Sequence, residues 1–460
     1  MKFLSITWAK KCIPLIGMIL LINVAFSQSD LVSPYSIFGP GLVNPRQSVS
    51  QFGMGGSGVA LIDPYKMNLI NPAASAYYME PIFETAGKGN ISTFETNVDQ
   101  FDNRNFEINN LSLSFPIKRG KWALNIGLVP LTSVGYDVFV FEESEEVGLY
   151  LANYFGDGGI SQGYFGTGVS VYHKVDTANN VTALALGGQL NYNFGTITNS
   201  RRLSYLEDLD ALGFEDSESI LIRDVTFEIG VHGQTNIKKK TISNPSYIKF
   251  LFGAVYTFGN DVNAEQNRYA NNFRLFSNGA TVSQDTIVSA VRQKGTIRLP
   301  SSFTVGGVLD FVNRKRMRFR WATDYSLTNW EEYDVDFEGN NLQADFNNSQ
   351  QVSTGIEWTP KLASSNYMET IEYRLGFKYA QTNLTLRDTE IEDIGMSFGM
   401  TLPLHFRRGL TKSSFHVGAE YGEYGTTQDG LIQETYIRIM GGFSFTPHFR
   451  NRWFVQPKYD

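Results

Sequence analysis

Cysteine and charge are both scarce in this sequence. The chain of 460 residues has 1 cysteine, which excludes a disulfide framework and a multi-cysteine metal site. Charged residues make up 18%, below the roughly 25% of soluble domains, whereas aromatic residues reach 14%; a disordered chain has the opposite balance. The net charge of -7 is not the basic excess of a nucleic-acid binder, so we expect no nucleic-acid partner.

Long apolar runs are absent beyond residue 27, and no stretch there shows sustained helical periodicity with caps. The one apolar run, residues 12–26, follows Lys2, Lys10 and Lys11, and small residues stand at Ala25 and Ser27. A positive start, a short apolar run and small residues at the cleavage position are typical of a secretory signal peptide. We therefore predict a signal peptide over residues 1–27 and an exported protein.

Alternation with period two dominates the rest of the chain. In residues 317–327, 371–379 and 437–445, bulky apolar residues occupy one set of alternate positions and mostly polar or small residues the other. Because successive side chains of a strand point to opposite faces, such strands have one apolar and one polar face. The charged residues on the polar faces include Arg318, Arg320, Glu372, Arg374 and Lys378.

A soluble β-sandwich and a transmembrane β-barrel both accommodate such strands. Export, aromatic-rich strands of about ten residues and a charged side opposite a bulky side favour the barrel, whose outside contacts lipid. A charge at the lipid midplane costs about 2–4 kcal/mol, so we expect the five charged residues above to line the lumen. The predicted fold is all-β: a transmembrane antiparallel β-barrel of about 14 strands in the bacterial outer membrane, in contact with lipid and lipopolysaccharide.

The distribution of charge among the connections supports this fold. The predicted strands begin near Pro81, Asn105, Lys121, Gln162, Val181, Leu221, Tyr247, Ile297, Arg316, Gln350, Thr370, Asp393, Ser413 and Thr435. Short connections carry cations, at residues 118–121, 238–240, 314–316 and 407–412, and the predicted long loops carry anions, at residues 142–146, 207–218, 331–338 and 388–390. Bacterial barrels have short periplasmic turns and longer outer loops, so this sorting places the cationic connections in the periplasm.

The N-terminal region differs from the strands. Residues 28–79 are punctuated by Gly, Pro, Ala and Asn but contain enough apolar residues to be buried. A barrel of fourteen strands is wider than one that side chains fill, so an inserted segment is physically sensible. We predict a hatch or plug over residues 28–79, the barrel over 80–446 and a periplasmic tail over 447–460.

Short motifs in this region resemble those of a known family. The stretch GMGGSGVAL at 53–61, Asp63 and the Asn-Pro-Ala-Ala turn at 71–74 resemble the amino-terminal hatch of FadL-type outer-membrane transporters for hydrophobic compounds. Residues 33–39, 158–168 and 299–303 are similar to a divergent branch of that family. The hatch residues implied by the resemblance are Gly53, Gly55, Gly56, Gly58, Asp63, Asn71, Pro72 and Ala73.

The resemblance implies passive uptake of a hydrophobic small molecule, such as a long-chain fatty acid, through hatch movement and lateral release. FadL-type channels have an inward kink in an early strand, which implies a lateral opening at Pro130, within residues 128–133. A proline in a strand otherwise indicates only a bulge. A second function stays open: a non-transporting barrel that is a subunit of an outer-membrane protein-export or barrel-assembly complex, with protein partners.

No pattern in the sequence indicates an enzyme. The five histidines are His173, His232, His405, His416 and His448, and none of their spacings matches a metal-binding motif. We therefore expect no catalytic residues, no metal and no cofactor.

Overall fold

Fourteen antiparallel strands form a closed barrel in the computed structural model. The structure describes residues 31–144, 148–205, 211–241, 244–276, 281–337, 340–341, 346–404 and 412–447. The barrel strands are β1 (Ile82–Glu95), β2 (Gln100–Lys118), β3 (Trp122–Ser144), β4 (Gly148–Val175), β5 (Val181–Tyr205), β6 (Leu212–Lys238), β7 (Tyr247–Thr257), β8 (Ser302–Val312), β9 (Arg318–Thr328), β10 (Ser349–Thr359), β11 (Glu372–Leu386), β12 (Thr389–Pro403), β13 (Ser414–Gly425) and β14 (Gln433–Phe445).

Each strand pairs with its neighbours in chain order, and the first strand pairs with the last. The pairing of β14 with β1 runs from Gln433 opposite Glu95 to Phe445 opposite Phe83 and closes the barrel. We call the end where β1 begins and β14 ends the periplasmic end, because single-chain bacterial barrels keep both barrel termini there. The prediction of an antiparallel barrel of about fourteen strands is confirmed.

Three predicted strand starts are wrong. The strand expected near Gln162 begins at Gly148, and the one expected near Leu221 begins at Leu212. Ile297 lies in an additional strand that precedes β8. These errors share a cause: strands β3 to β6 continue beyond the outer edge of the membrane, where neither face meets lipid and the alternation fades.

Residues expected in long anionic loops therefore lie partly within strands. Glu215 and Asp216 belong to β6, where they form ion pairs with Arg202 at 3.0 Å and Arg268 at 2.9 Å. The remaining strands are Leu42–Val43, Asn260–Leu275, Thr281–Leu299, Asp334–Phe337 and Asn340–Asn341. Asn260–Leu275 pairs with β6 and with Thr281–Leu299, so this hairpin extends the outer wall between β6 and β8.

The helices among the described residues are short, of three to six residues. Val49–Phe52 is an α-helix, and Pro34–Ile37, Pro72–Tyr77, Trp330–Glu332, Tyr367–Thr370 and Gln428–Gly430 are 3₁₀ helices. Ser48 caps the α-helix through a hydrogen bond from the backbone N–H of Gln51, whose side chain bonds back to the backbone N–H of Ser48. Among the described residues, no helix has the length and apolarity to cross a bilayer.

The outer face of the wall is apolar. Phe227, Leu375 and Met396 have more than half of their surface exposed, and they alternate with inward-facing polar or small residues. The period-two pattern of the sequence thus becomes a lipid-facing band around a polar lumen. The predicted signal peptide and all but the first residue of the predicted tail lie outside the described residues.

Residues 31–79, the inner segment, precede β1 and pack against the inside of the wall. Many of their side chains are buried, among them Phe52, Met54, Val59 and Tyr78. The segment contacts strands on all sides of the barrel, as its partners below show. A chain that touches opposite walls of a closed barrel lies within the lumen.

Candidate functional site

Glycines on the inner wall allow the inner segment to approach the strands backbone to backbone. A methyl group placed on Gly376 would lie 2.0 Å from the backbone nitrogen of Gly55, and one on Gly187 would lie 2.3 Å from that of Ala73. Mid-strand glycine marks such close approaches. Nine glycines that contact residues 49–76 of the segment form the glycine girdle: Gly168, Gly187, Gly230, Gly253, Gly355, Gly376, Gly399, Gly418 and Gly442.

The inner segment follows the girdle around the barrel. Val49 lies against β14 and Phe52 against β13, and the segment reaches β7 at Val59 and β4 at Ser75. Eight of the girdle glycines lie in the periplasmic halves of their strands, and Gly253 lies one residue beyond the middle of β7. The segment therefore forms a collar inside the wall near the periplasmic end.

The residues expected in the hatch lie on this collar. Gly53 contacts Gly399, Asn71 contacts Gly230, and Pro72 and Ala73 contact Gly187. The side chain of Asn71 caps the Pro72–Tyr77 helix and also donates to the backbone oxygens of Val59 and Val231, both at 3.0 Å. Gly55, Gly56 and Gly58 have positive φ angles of 70°, 82° and 140°, which a residue with a side chain adopts only with strain.

Two wall side chains fasten the collar by hydrogen bonds. Asp324 accepts from the backbone nitrogens of Gly58 and Val59, at 2.6 and 2.7 Å. His232 lies 3.0 Å from the backbone oxygen of Ala60 and 3.2 Å from the hydroxyl of Tyr77. Because a carbonyl oxygen only accepts, His232 donates from Nε2 and accepts the Tyr77 proton at Nδ1.

A buried ion cluster lies below the girdle, towards the periplasm. Glu357 accepts from Arg320 Nε at 2.7 Å and from Arg374 Nε at 2.9 Å. Lys66 of the inner segment pairs with Glu372 and, at 3.4 Å, with Asp63. We call these six residues the lower ion cluster. It joins wall to collar a second time, since Arg320 also donates to the backbone oxygen of Ile62 at 3.2 Å.

The charges of this cluster shift the pKa of Asp63. Burial alone would raise the pKa of its carboxyl, but the neighbouring charges of Lys66 and Arg320 outweigh burial and lower the pKa. Arg318, also expected in the lumen, pairs instead with Asp310 of β8 at 2.7 Å.

Lys378 belongs to a separate cluster above the girdle. It contacts Asp393 at 2.9 Å and Glu420 at 2.7 Å. Arg438 lies 3.8 Å from Glu420, with its guanidinium 3.7 Å above the ring centre of Tyr436. The structure therefore places the five charges predicted from the sequence in the lumen wall but divides them among three sets of partners.

A cavity of about 500 Å³ occupies the lumen above the collar. Its lining includes four cations, each paired with a carboxylate: Arg46 with Glu228, Lys88 with Glu107, Lys378 with Asp393 and Glu420, and Arg438 with Glu420. Asn, Gln, Ser and Thr side chains make up much of the remaining lining. The space above the collar therefore has a mixed polar and apolar lining, in which every cation faces a carboxylate.

The barrel wall is interrupted beside Pro130. The ladder between β2 and β3 ends at Leu111 opposite Leu128, although β3 stays paired with β4 as far as Ser144. A bulge follows Pro130 in the β3–β4 pairing. We call the unpaired region between residues 100–110 of β2 and 129–144 of β3 the seam.

The start of the inner segment covers the seam from inside. Leu42–Val43 pairs with Thr132 and Ser133 of β3, and the backbone nitrogen of Val32 donates to Gly135 at 2.7 Å. On the other side, Asn103 of β2 donates to the backbone oxygen of Leu31 at 2.7 Å. Among the described residues, the backbone pairing thus continues across the seam through the inner segment.

Sequence reasoning missed the girdle, Asp324, Glu357 and Lys66. Glycine at inward positions of nine strands is a signal visible in the sequence, and Glu357 occupies an inward position of its strand. The residues that the girdle glycines, Asp324, Glu357 and Lys66 contact lie elsewhere in the sequence, in the inner segment or on other strands. Only the closed barrel therefore identifies these contacts.

Solved structures with similar folds are FadL-type channels. The crystal structure of a Pseudomonas aeruginosa FadL homologue aligns with a TM-score of 0.52 at 12% identity, covering 89% of this chain and 100% of that chain. The P. putida toluene transporter TodX aligns with a TM-score of 0.52 at 13% identity, covering 88% of this chain and 99% of that chain. The resemblance drawn from the sequence is confirmed for the fold.

Comparison with curated proteins finds no match. A family model described as BamG matches residues 9–460. Since that match spans nearly the whole chain and the fold is of the FadL type, this protein is a divergent FadL-type barrel that belongs to the BamG family.

Proposed function

We propose that this protein is a plugged, non-transporting barrel and a subunit of an outer-membrane protein complex of the export or barrel-assembly kind. The observation that carries the proposal is the glycine girdle, which seats the inner segment against nine strands. A moving hatch would have to leave this fit and uncover the ion pairs of Glu357 and Glu372. Uncovering close-packed surface and buried charge is costly, so the inner segment acts as a fixed plug.

The cavity is also poorly suited to the passage of a fatty acid. A fatty-acid carboxylate needs a cation, but each of the four cations that line the cavity already faces a carboxylate. An alkyl chain needs a continuous apolar wall, whereas amide, hydroxyl and charged side chains interrupt the apolar residues of this lining. Membership of the BamG family agrees with a role other than the toluene transport named for TodX.

Extraction from the native membrane tests the subunit role. The protein is isolated from its own outer membrane in mild detergent, and its intact mass is recorded with bound species retained. We expect stoichiometric protein partners. A monomer that carries a lipid-like ligand would overturn the proposal.

The seam supports a second candidate, uptake of hydrophobic small molecules with lateral release. Its position beside Pro130 matches the lateral opening implied by the FadL-type resemblance. In this alternative, Gly53, Gly55, Gly56, Gly58, Asp63, Asn71, Pro72 and Ala73 belong to a hatch that moves, and the strand at Leu42–Val43 leaves β3 to open the seam.

A reversible cross-link separates the two candidates. Val43 and Thr132 are register partners on antiparallel strands, a spacing that suits a disulfide. The only cysteine in the sequence, Cys12, lies within the predicted signal peptide, so Val43→Cys/Thr132→Cys introduces a defined pair. We expect the oxidised protein to retain its partners and cells to take up labelled oleate at an unchanged rate. Loss of uptake that a reductant restores, with Val43→Cys alone as control, would favour the conduit.

A further inference from the structure

Exposed cations occupy the periplasmic turns of the barrel. The six turns at that end join β2 to β3, β4 to β5, β6 to β7, β8 to β9, β10 to β11 and β12 to β13. Five of them have exposed lysine or arginine in the turn or beside it. These residues form the cationic ring: Lys118, Arg119, Lys121, Lys174, Lys238, Lys239, Arg314, Lys315, Arg316 and Lys412. In the sixth turn, Lys361 pairs with Glu369 at 2.9 Å.

Carboxylates compensate little of the ring charge. Among the described residues of the six turns, no Asp or Glu is exposed. Arg119 pairs with Glu80 at 3.5 Å. The ion pairs of the described residues include none with Lys121, Lys174 or Lys315. The periplasmic edge of the wall therefore presents positive charge to its surroundings.

The ring lies at the depth of the lipid head groups. Lys121 precedes Trp122, and Lys174 stands two positions after Tyr172. Both aromatic side chains are on the lipid side of the wall, with 41% and 50% of their surface exposed. Aromatic residues in such positions mark the membrane–water interface. Lys315 lies three positions after the end of β8, where the wall gives way to the head-group layer of about 5–7 Å.

We infer that the cationic ring binds the phosphate groups of anionic phospholipids in the periplasmic leaflet. Lysine and arginine clusters beside a membrane attract anionic lipid, because the phosphate charge complements theirs. Their long side chains keep the apolar stem on the wall while the charged end reaches the head groups. The ring stands apart from the plug, so a complex subunit and a conduit can each possess it.

The distribution of the ring favours lipid over an acidic protein as its partner. Lys121 and Lys315 belong to turns that are six strands apart in a barrel of fourteen, so they lie on nearly opposite sides. Lipid surrounds a membrane barrel on every side, whereas one globular protein covers one side. Exposed charge on five turns around the circumference matches the lipid arrangement.

Titration of the purified full-length protein with phospholipid tests the inference. The protein is held in an uncharged detergent, and native mass spectrometry measures the occupancy of bound lipid. Phosphatidylglycerol is the anionic probe, and phosphatidylcholine with the same acyl chains is the probe without net charge. We expect tighter binding of phosphatidylglycerol and a preference that declines as the salt concentration rises.

Two double variants locate the binding. Lys121→Gln/Lys315→Gln removes one charge from each side of the ring. It is expected to bind phosphatidylglycerol about fivefold more weakly, and phosphatidylcholine as before. Arg201→Gln/Lys294→Gln removes two exposed cations from the outer end of the barrel and should bind both lipids like the natural protein. Heat-shifted gel mobility shows that each variant is folded.

Three results would overturn the inference. They are equal affinity of the natural protein for the two lipids, unchanged phosphatidylglycerol binding by Lys121→Gln/Lys315→Gln, and an equal loss in both double variants. The native complex is also isolated from cells that carry the ring variant. Loss of a protein partner there, with phosphatidylglycerol binding unchanged, would assign the ring to an acidic protein instead.

Discussion

Asp324 of β9 accepts a 2.6 Å hydrogen bond from the backbone nitrogen of Gly58, and the same oxygen accepts a 2.7 Å bond from Val59. One wall carboxylate thus satisfies two adjacent N–H groups at the point where the collar crosses between β10 and β7. Neither N–H group has another acceptor among the described residues.

Asp324→Ala is expected to lower the free energy of unfolding by about 1–3 kcal/mol for each N–H group left unpaired. Asp324→Asn is the matched control: its amide oxygen can take the position of Oδ2 and accept both bonds. Denaturant titration in detergent, followed by gel mobility, measures the difference. Equal stability of the alanine and asparagine variants would contradict this role.

Gly187 and Gly188 are adjacent on β5 but face opposite sides of the wall. A methyl group on Gly187 would meet the backbone of Ala73 and Pro72, at 2.3 and 2.5 Å, whereas one on Gly188 would meet nothing within 4 Å. We expect Gly187→Ala to displace the collar and to expose the inner segment to protease. In Gly188→Ala, protease should cleave the inner segment as slowly as in the natural protein. Equal cleavage rates in the two variants would show that the girdle does not fix the segment.

Glu357 is the shared acceptor of the lower ion cluster. Glu357→Gln leaves the buried guanidinium group of Arg320 without a counter-charge and leaves Arg374 with Glu372 alone, which is expected to cost about 3–5 kcal/mol. Glu331→Gln, at an exposed position, should cost little. The free energies of unfolding of the two variants are compared by denaturant titration. A loss of stability below about 1 kcal/mol for Glu357→Gln would show that the cluster is hydrated.

Acid is expected to loosen the collar through Asp63. The folded state lowers the pKa of Asp63, because Lys66 and Arg320 outweigh the effect of burial. A lowered pKa stabilises the fold above the unfolded value of about 3.9, and this contribution disappears as the pH falls through the folded pKa. The stability gap between the natural protein and Asp63→Asn should therefore be full at pH 7 and shrink below about pH 4. A gap that does not change with pH would exclude this coupling.

Local alternation along the chain is enough to predict the barrel. Alternation is local: the inward position of Arg374 and the lipid-facing position of Leu375 follow from their neighbours along one strand. The sequence also sorted the cationic turns from the anionic connections and supplied the motifs that resemble the FadL-type hatch. It failed where β4 and β6 rise above the membrane, because the lipid no longer imposes alternation there.

The contents of the lumen, by contrast, follow from contacts between residues far apart in the sequence. Gly376 lies 320 or more positions from the collar residues it meets, and Glu357 joins two arginines from different strands. Such contacts depend on barrel closure and on the path of the inner segment. Neither produces a periodic pattern in the sequence. The seam is of the same kind: Pro130 marks a bulge, but the loss of pairing beyond Leu111 is a relation between two strands. The pattern of side chains thus sets the wall, and the packing of one segment against it sets the plug, the cavity and the seam.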